Sequence, residues 1–326
     1  MGRKEGPVES MVKIKSKNIL VTGGAGFIGS HLVNELVKKG NIVVVIDDLS
    51  SGRKENVNPK AKFYKCDVKS KKIFEIFEKE KPQIVFHLAA KPIVEEVYKN
   101  PFEAIEVNVM GTVNVLEACR KQGNLEKIVI ISSDKAYGKS KELPYRETSP
   151  LKGDHPYDVS KSSADLIAQA YFSTYGLPII ITRFSNVFGP GDSNFSRIIP
   201  GILDAILSKK EFLIRSDGKM IREYTYVKDI ILGCVCLIET EKNILGHAFN
   251  FGSKNIFSVL DVVKEIENIL EIKVEYKIMN IAKNEISEQY LDWAKAKEKL
   301  SWEPKTSFKD GIKETHIWLK NKKFIP

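Results

Sequence analysis

Short runs of apolar, mostly β-branched residues alternate with stretches of helical periodicity through the first half of the chain. The runs cover residues 18–22, 42–47, 62–66, 84–89, 128–132 and 178–182, each of strand length. Between the first two, Ile28, Leu32 and Leu36 recur at helical spacing and Gly40 follows, the pattern of a helix with a glycine stop. Repetition of this strand–helix unit predicts a parallel sheet. Runs that are apolar on both faces need helices on both sides, so the expected class is α/β with a doubly wound sheet. After about Gly189 the alternation is lost, and helical patterns at 197–208, 228–239, 259–270 and 307–320 predict a smaller, mixed α/β lobe. The expected division is a flexible leader over 1–16, a first domain over 17–189 and a second lobe over 190–326. A ligand belongs in the cleft between them, at the carboxyl ends of the strands.

Composition changes this picture little. Of the 326 residues 43% are hydrophobic and 29% charged, the balance of a soluble globular chain. The longest apolar runs, such as 230–238, fall short of the ~20 residues a membrane span needs. No signal-peptide core opens the chain, and Gly6 occupies the place where a myristoylation motif prefers Ser or Thr. A cytoplasmic location without a membrane partner is the expectation. Four scattered cysteines (Cys66, Cys119, Cys234, Cys236) are too few for a zinc site and too sparse for a disulfide framework, so no metal is expected. The net charge of +9 is spread over single lysines rather than a basic block, which argues against nucleic acid. Such a field would steer anionic small molecules.

The first chemistry lies at residues 22–29. Gly23, Gly26 and Gly29 stand between an apolar strand and an amphipathic helix that begins at Phe27 and Ile28. A glycine turn there lets backbone approach a pyrophosphate, which rests on the helix N-terminus. Asp47 ends the second run 18 residues after Gly29, where a carboxylate accepts from a ribose diol and repels the extra phosphate of NADP. The expected cofactor is therefore NAD, on a Rossmann sheet.

The Gly-x-x-Gly-x-x-Gly spacing after Thr22 resembles the extended branch of the short-chain dehydrogenase/reductase superfamily. That resemblance implies that Asp48, Ser51 and Gly52 continue the cofactor site after Asp47, and that Asp67 and Val68 touch adenine. It places Leu88, Ala89 and Ala90 beside the cofactor and gives Asn108 a place there, in an Asn-x-x-Gly-Thr helix. His87 is read as a core histidine with no chemical role.

Tyr157 and Lys161 form Tyr-x-x-x-Lys, which puts both on one helix face, and Ser133 lies 24 residues before Tyr157 at a strand end. A nearby ammonium stabilises a phenolate, so Lys161 is expected to activate Tyr157. The resemblance implies that Tyr157 takes a sugar hydroxyl's proton, Ser133 bonds the forming carbonyl, and Tyr157 and Lys161 also contact the cofactor. Asp134 and Lys135, next to Ser133, resemble the acid and base of nucleotide-sugar 4,6-dehydratases. Residues 108–112, 133–135 and 191–200 look most like the CDP-glucose 4,6-dehydratase group. Lys91 departs from that pattern by replacing a Gln, and Glu95-Glu96 by replacing a basic residue.

Arg183 and Asn186 resemble an Arg-x-x-Asn element whose Asn meets substrate. The resemblance implies that Arg222 grips a diphosphate, which guanidinium binds by paired hydrogen bonds, with Arg197 a second candidate that could equally form a surface salt bridge. The substrate-binding expectation is thus Lys91, Asn186, Arg197 and Arg222, for a nucleotide-diphosphate sugar. Dehydration is the leading activity and C4 epimerisation the alternative. Another reaction of the branch, such as 2-epimerisation, decarboxylation or keto-reduction, stands third, and a catalytically silent NAD-binding or nucleic-acid-associated relative fourth. The resemblance further implies a homodimer formed through residues 101–121 and 157–175.

Overall fold

The computed structural model describes residues 16–282 and 286–323. The expected leader therefore lies outside the described residues apart from Ser16. The first half runs β1 (Asn18–Thr22), α1 (Phe27–Lys38), β2 (Ile42–Asp47), β3 (Lys62–Lys65), α2 (Lys72–Glu80), β4 (Ile84–His87), α3 (Val94–Lys99), α4 (Pro101–Ile105), α5 (Gly111–Gln122), β5 (Lys127–Ser133), α6 (Pro156–Tyr175) and β6 (Ile179–Phe184). The second half runs β7 (Asn186–Phe188), α7 (Ile198–Ser208), β8 (Phe212–Ile214), β9 (Ile221–Tyr226), α8 (Val227–Glu239), β10 (Ala248–Phe251), β11 (Ile256–Ser258), α9 (Val259–Leu270), β12 (Tyr276–Ile278), β13 (Glu288–Gln289), α10 (Ala294–Leu300) and α11 (Phe308–Lys323).

Seven parallel strands form one sheet in the order β10-β6-β5-β4-β1-β2-β3. The order reverses between β1 and β4, which opens a crevice at their carboxyl ends. Alternation along β1 shows why the sheet must be covered twice. Ile19 and Val21 pack into one core with Leu32 and Leu36 of α1, whereas Leu20 packs into a second with Ile73 and Phe77 of α2. Successive strand side chains point to opposite faces, and burying each large aliphatic contributes about 1.5–3 kcal/mol.

Two expectations change. The boundary at 189 is not a clean cut, because β10 pairs with β6 in the main sheet and α8 contributes Ile230, Ile231 and Cys234 to the core that holds α1. The chain returns to the first domain to cover the edge and face that residues 17–189 leave open. The segment 101–121 is helical throughout but not a regular α-helix. Between α4 and α5 a π-turn spans Glu106–Met110, and such wide turns are often found at functional sites.

The second lobe is built on β9, which pairs with β7 and β13 in parallel and with β11 antiparallel, while β8 and β12 form a separate parallel pair. All four cysteines are free and buried. Among the described residues no helix is long and apolar enough to cross a membrane, and no group of three or more His, Cys, Asp or Glu could hold a metal.

Candidate active site

A cleft of about 1570 Å³ runs from the α1 N-terminus across the ends of β4 and β5 to α7 and β9. It exceeds the ~300–1,000 Å³ of a usual ligand pocket and has room for two ligands end to end. Its first half is shaped by glycine. Gly23 has φ +72°, and a Cβ there would sit 2.7 Å from the Ala89 nitrogen, so the loops after β1 and β4 meet only because the side chain is missing. A Cβ on Gly29 would lie 2.1 Å from the Gly23 carbonyl oxygen. The first turn of α1 lines the cleft through Gly26, Phe27, Ile28 and Gly29 and carries no side-chain cap. Its N–H groups and dipole therefore suit an anion such as a pyrophosphate.

Asp47 lies at the cleft wall, almost buried. Its carboxylate accepts from the backbone N–H of Ala25 at 3.0 Å and of Leu49 at 2.8 Å; burial raises its pKa while those two N–H groups hold it down. Asp48, Ser51, Asp67, Val68, Leu88, Ala89 and Ala90 line the same half. Two expected cofactor residues stand behind the wall instead. Gly52 is packed on Ala25 and Asp47. Asn108, buried in the π-turn, accepts from the Lys91 N–H at 2.7 Å and donates to Ser160 Oγ at 2.9 Å, so it shapes the loop that faces the cleft without facing it. His87 is a core residue, as expected. Thr112 Oγ1 donates to the Asn108 carbonyl at 2.6 Å and so accepts from His87 Nε2 at 3.0 Å. That leaves Nδ1 to accept from Thr22 Oγ1 at 2.7 Å. The ring is neutral, its pKa pushed down to about 3 by burial and then by Lys161.

The end of β5 and the start of α6 bring Ser133, Asp134, Lys135, Tyr157 and Lys161 to the cleft. Ser133 Oγ donates to Asp134 Oδ1 at 3.0 Å and accepts from the Lys135 N–H at 3.2 Å, capping a short 3-10 turn. Burial raises the Tyr157 phenol above its ordinary value, opposed first by the Arg197 guanidinium and also by Ser133. Lys161 lines the cleft from the same helix as Tyr157, as the spacing predicts. Its Nζ lies 3.4 Å from the Ile131 carbonyl, and burial lowers its pKa to about 8. Arg197, across the cleft, is thus a cation that opposes the rise of the phenol, and Lys161 lines the same cleft one helical turn from Tyr157.

Asp134 is 2% exposed, and its Oδ2 has no hydrogen-bond partner among the described residues. Burial raises its pKa, partly offset by Lys135 and Ser133, which favours a carboxylic acid with a proton to give. Lys135 Nζ donates to Gln289 Oε1 at 2.5 Å. Sequence reasoning missed Asp158, because nothing in a Tyr-x-x-x-Lys spacing marks the residue after Tyr. It lines the cleft, and burial lifts its pKa to about 6 against Lys135 and His155.

The second lobe supplies the far wall. Arg197, at the N-cap of α7, donates to buried Asp192 at 3.1 Å. Arg222 on β9 donates to the Ile221 carbonyl at 2.8 Å and the Ser287 carbonyl at 3.3 Å. Asn186 Nδ2 donates to the Glu223 carbonyl at 3.1 Å. All three line the cleft, as does Lys91, whose Nζ pairs with Glu103 at 2.8 Å. Arg183 does not. It is buried in a bidentate pair with Asp165 at 2.8 and 3.0 Å and reaches Tyr137 Oη at 2.9 Å, so the Arg-x-x-Asn element splits into a structural Arg and a cleft-facing Asn. Arg215 pairs with Glu95. Both line the cleft, one from each lobe, and no sequence separation announces that pair.

The description "GDP-mannose 4,6 dehydratase" belongs to a family whose model matches residues 20–315. The chain is 34% identical over 306 residues to a putative UDP-glucose 4-epimerase of Methanocaldococcus jannaschii, covering 93% of this chain and 98% of that one. It is 32% identical to dTDP-D-glucose 4,6-dehydratase of Homo sapiens, covering 94% of this chain and 90% of that one. The structure of UDP-glucuronic acid 4-epimerase from Bacillus cereus, in complex with UDP-glucuronic acid and NAD, matches with a TM-score of 0.88 at 30% identity, covering 94% of this chain and 99% of that one. Motif order, sheet order and these likenesses agree: the chain belongs to the GDP-mannose 4,6 dehydratase family, NAD-dependent nucleotide-sugar dehydratases and epimerases of the extended short-chain dehydrogenase/reductase superfamily.

Proposed function

We propose that this chain is an NAD-dependent nucleotide-diphosphate-hexose 4,6-dehydratase. One observation carries that reading over its alternative: Asp134, in surroundings that favour its protonated form, stands beside the Lys135 amine in the same cleft as Ser133 and Tyr157. Exchange of configuration at C4 has no step for such an acid/base pair, whereas elimination of water across C5 and C6 needs one.

The cleft fits a dinucleotide at the uncapped α1 terminus and the Gly23–Gly29 turn, with Asp47 at the adenosine ribose and Tyr157 and Lys161 at the nicotinamide end. When bound, NAD would supply the hydride acceptor for C4 and the hydride donor for C6. Arg222 and Arg197 grip the diphosphate, and Asn186 and Lys91 face the sugar. Tyr157 takes the proton of the C4 hydroxyl, and Ser133 bonds the carbonyl oxygen that forms. That carbonyl acidifies C5–H. Lys135, as the neutral amine, takes the C5 proton, and Asp134 protonates the C6 hydroxyl, which leaves as water.

The second reading, a nucleotide-sugar 4-epimerase, is favoured by the epimerase names of the 34% identical relative and the NAD-bound structure. Incubation with NAD and UDP-, CDP-, GDP- and dTDP-hexoses in heavy water separates the two. Deuterium at C5 in a 4-keto-6-deoxy product supports dehydration; a C4 epimer without C5 exchange supports the alternative. In the Lys135→Ala variant, C4 oxidation persists and elimination stops. Water loss at the native rate would remove Lys135 as the base.

The proposal extends to a cytoplasmic homodimer. Phe102 (71% exposed), Met110 (51%) and Leu166 (52%) lie in the two expected contact segments. Light scattering coupled to size exclusion distinguishes a dimer from a monomer.

A further inference from the structure

The candidate acid/base pair is held from the opposite lobe by a residue no motif marked. Gln289, on β13, is fully buried, and its amide spans both partners. Oε1 accepts from Lys135 Nζ at 2.5 Å, and Nε2 donates to the Asp134 carbonyl at 3.0 Å. The orientation of this amide is decided by its partners. A lysine amine bonded through N–H needs the oxygen, and a backbone carbonyl needs the NH₂, so a flipped amide loses both bonds. The strand beneath is itself fixed. Gln289 stands in register with Arg222, the Ile221 N–H donates to the Ser287 carbonyl at 2.9 Å, and the Leu291 N–H donates to the buried carboxylate of Glu223 at 3.2 Å.

We infer that Gln289 is a positioning residue, one that holds the Lys135 amine in a single orientation toward the cleft and sets how readily it gives up its proton. A lysine side chain has four rotatable bonds and loses about 2 kcal/mol of rotamer entropy when fixed. An acceptor held rigidly on a second lobe makes that ordering part of folding rather than of each turnover. The amide also acts on both protonation states. It accepts one N–H of the ammonium, and after deprotonation it still accepts an N–H of the amine, which keeps the nitrogen lone pair turned away from Oε1. The catalytic half of this inference rests on Lys135 being the base of the proposed elimination; the positional half does not.

Two near-isosteric variants test it, Gln289→Glu and Gln289→Met. A carboxylate facing Lys135 Nζ favours the ammonium, and a thioether removes the oxygen that Gln289 offers it. The first readout is the pH midpoint for acetylation of Lys135 by acetic anhydride, followed by peptide mass spectrometry on the native chain without substrate. Gln289→Glu is expected to raise that midpoint by about one unit or more, and Gln289→Met to lower it. The second is the pH profile of C5 deuterium incorporation. It should move in the same direction, with kcat down about tenfold or more in Gln289→Met, KM changed far less, and single-turnover NADH formation retained. Midpoints that match the native protein in both variants would overturn the inference, as would a rise in KM alongside the loss of both kcat and NADH formation. If the native protein exchanges no C5 hydrogen with any sugar, the dehydratase reading fails, while the acetylation midpoints still decide whether Gln289 governs Lys135.

Discussion

Asp47 Oδ2 accepts from the Ala25 N–H at 3.0 Å, so the acid that ends β2 holds in place the glycine turn it faces. The sequence pattern assigned this carboxylate to a ribose diol. The structure gives it a second task, because its other oxygen accepts from Leu49 at 2.8 Å. Asp47→Asn presents an NH₂ to one of these N–H donors and should cost about 1–3 kcal/mol of stability. It should also weaken NAD more than NADP, since the repulsion of a 2′-phosphate goes with the charge. Thermal unfolding and calorimetric titration with both dinucleotides measure the two effects. Equal losses for NAD and NADP would leave Asp47 as a brace of the turn alone.

The glycine turn yields a contrast between steric and conformational cost. A Cβ on Gly29 would sit 2.1 Å from the Gly23 carbonyl oxygen, a contact with backbone that no rotamer change relieves, whereas Gly40 has φ +85° and nothing within 4 Å. Gly40→Ala should therefore lose only about 1 kcal/mol, the penalty of a left-handed alanine. Gly29→Ala should lose more and abolish NAD binding, because the turn must open where the pyrophosphate rests. Denaturant unfolding and fluorescence titration compare them. NAD binding near the native level in Gly29→Ala would show that the turn does not form the pyrophosphate site.

Most of the sheet was legible because burial on both faces writes itself as runs of Ile and Val. The runs at 18–22 and 42–47 match β1 and β2 residue for residue. The helix expected over 259–270 is α9, opened by a Ser258–Asp261 capping box. Less legible was whatever depends on distant segments meeting. The return of β10 to the main sheet has no local signature, since Ala248–Phe251 reads like any short strand. The π-turn at Glu106–Met110 keeps a helical apolar pattern, so periodicity passes over it. In the site, the Ser, Tyr and Lys set lies on contiguous elements with motif spacing. Arg197 acting on Tyr157, Gln289 on Lys135 and Arg215 on Glu95 each join the two lobes, and separations of 40 to 154 residues carry no pattern.

Arg197 is the first charge opposing the upward shift of the Tyr157 phenol, and Asp192 tethers its guanidinium at 3.1 Å. The phenolate is the form that takes a proton, so activity in C4 oxidation rises with pH through the pKa of Tyr157. Arg197→Gln should move that rising limb of kcat/KM to higher pH, while Arg197→Lys, which keeps the charge, should hold it nearer the native position. Single-turnover NADH formation across a pH series reads the limb without depending on elimination. A loss of affinity with no movement of the limb would confine Arg197 to substrate binding.

Asp158 sets the clearest pH dependence of stability. Burial raises its folded pKa from 3.8 to about 6, with Lys135 and then His155 opposing the rise. A folded pKa above the unfolded one means that the native state binds the proton more tightly. Its stabilising contribution is complete below pH 4 and is lost as pH climbs through about 6. A shift of this size corresponds to about 3 kcal/mol between the two limits, an order-of-magnitude figure for a largely buried group. Asp158→Asn replaces the ionised carboxylate with a neutral group of the same shape. It should therefore be more stable than the native chain at pH 7, by up to that amount, with the difference closing toward pH 4. Urea unfolding of both chains from pH 4 to pH 8 measures the gap. A gap that stays constant with pH would mean that Asp158 does not titrate in this range, and one that widens toward acid would reverse the sign of its shift. The same variant also tests the chemistry. Asp158 lies in the cleft within reach of the Lys135 charge, so its neutralisation removes a carboxylate that favours the ammonium. The pH needed for C5 exchange should then fall, opposite in direction to the effect of Gln289→Glu.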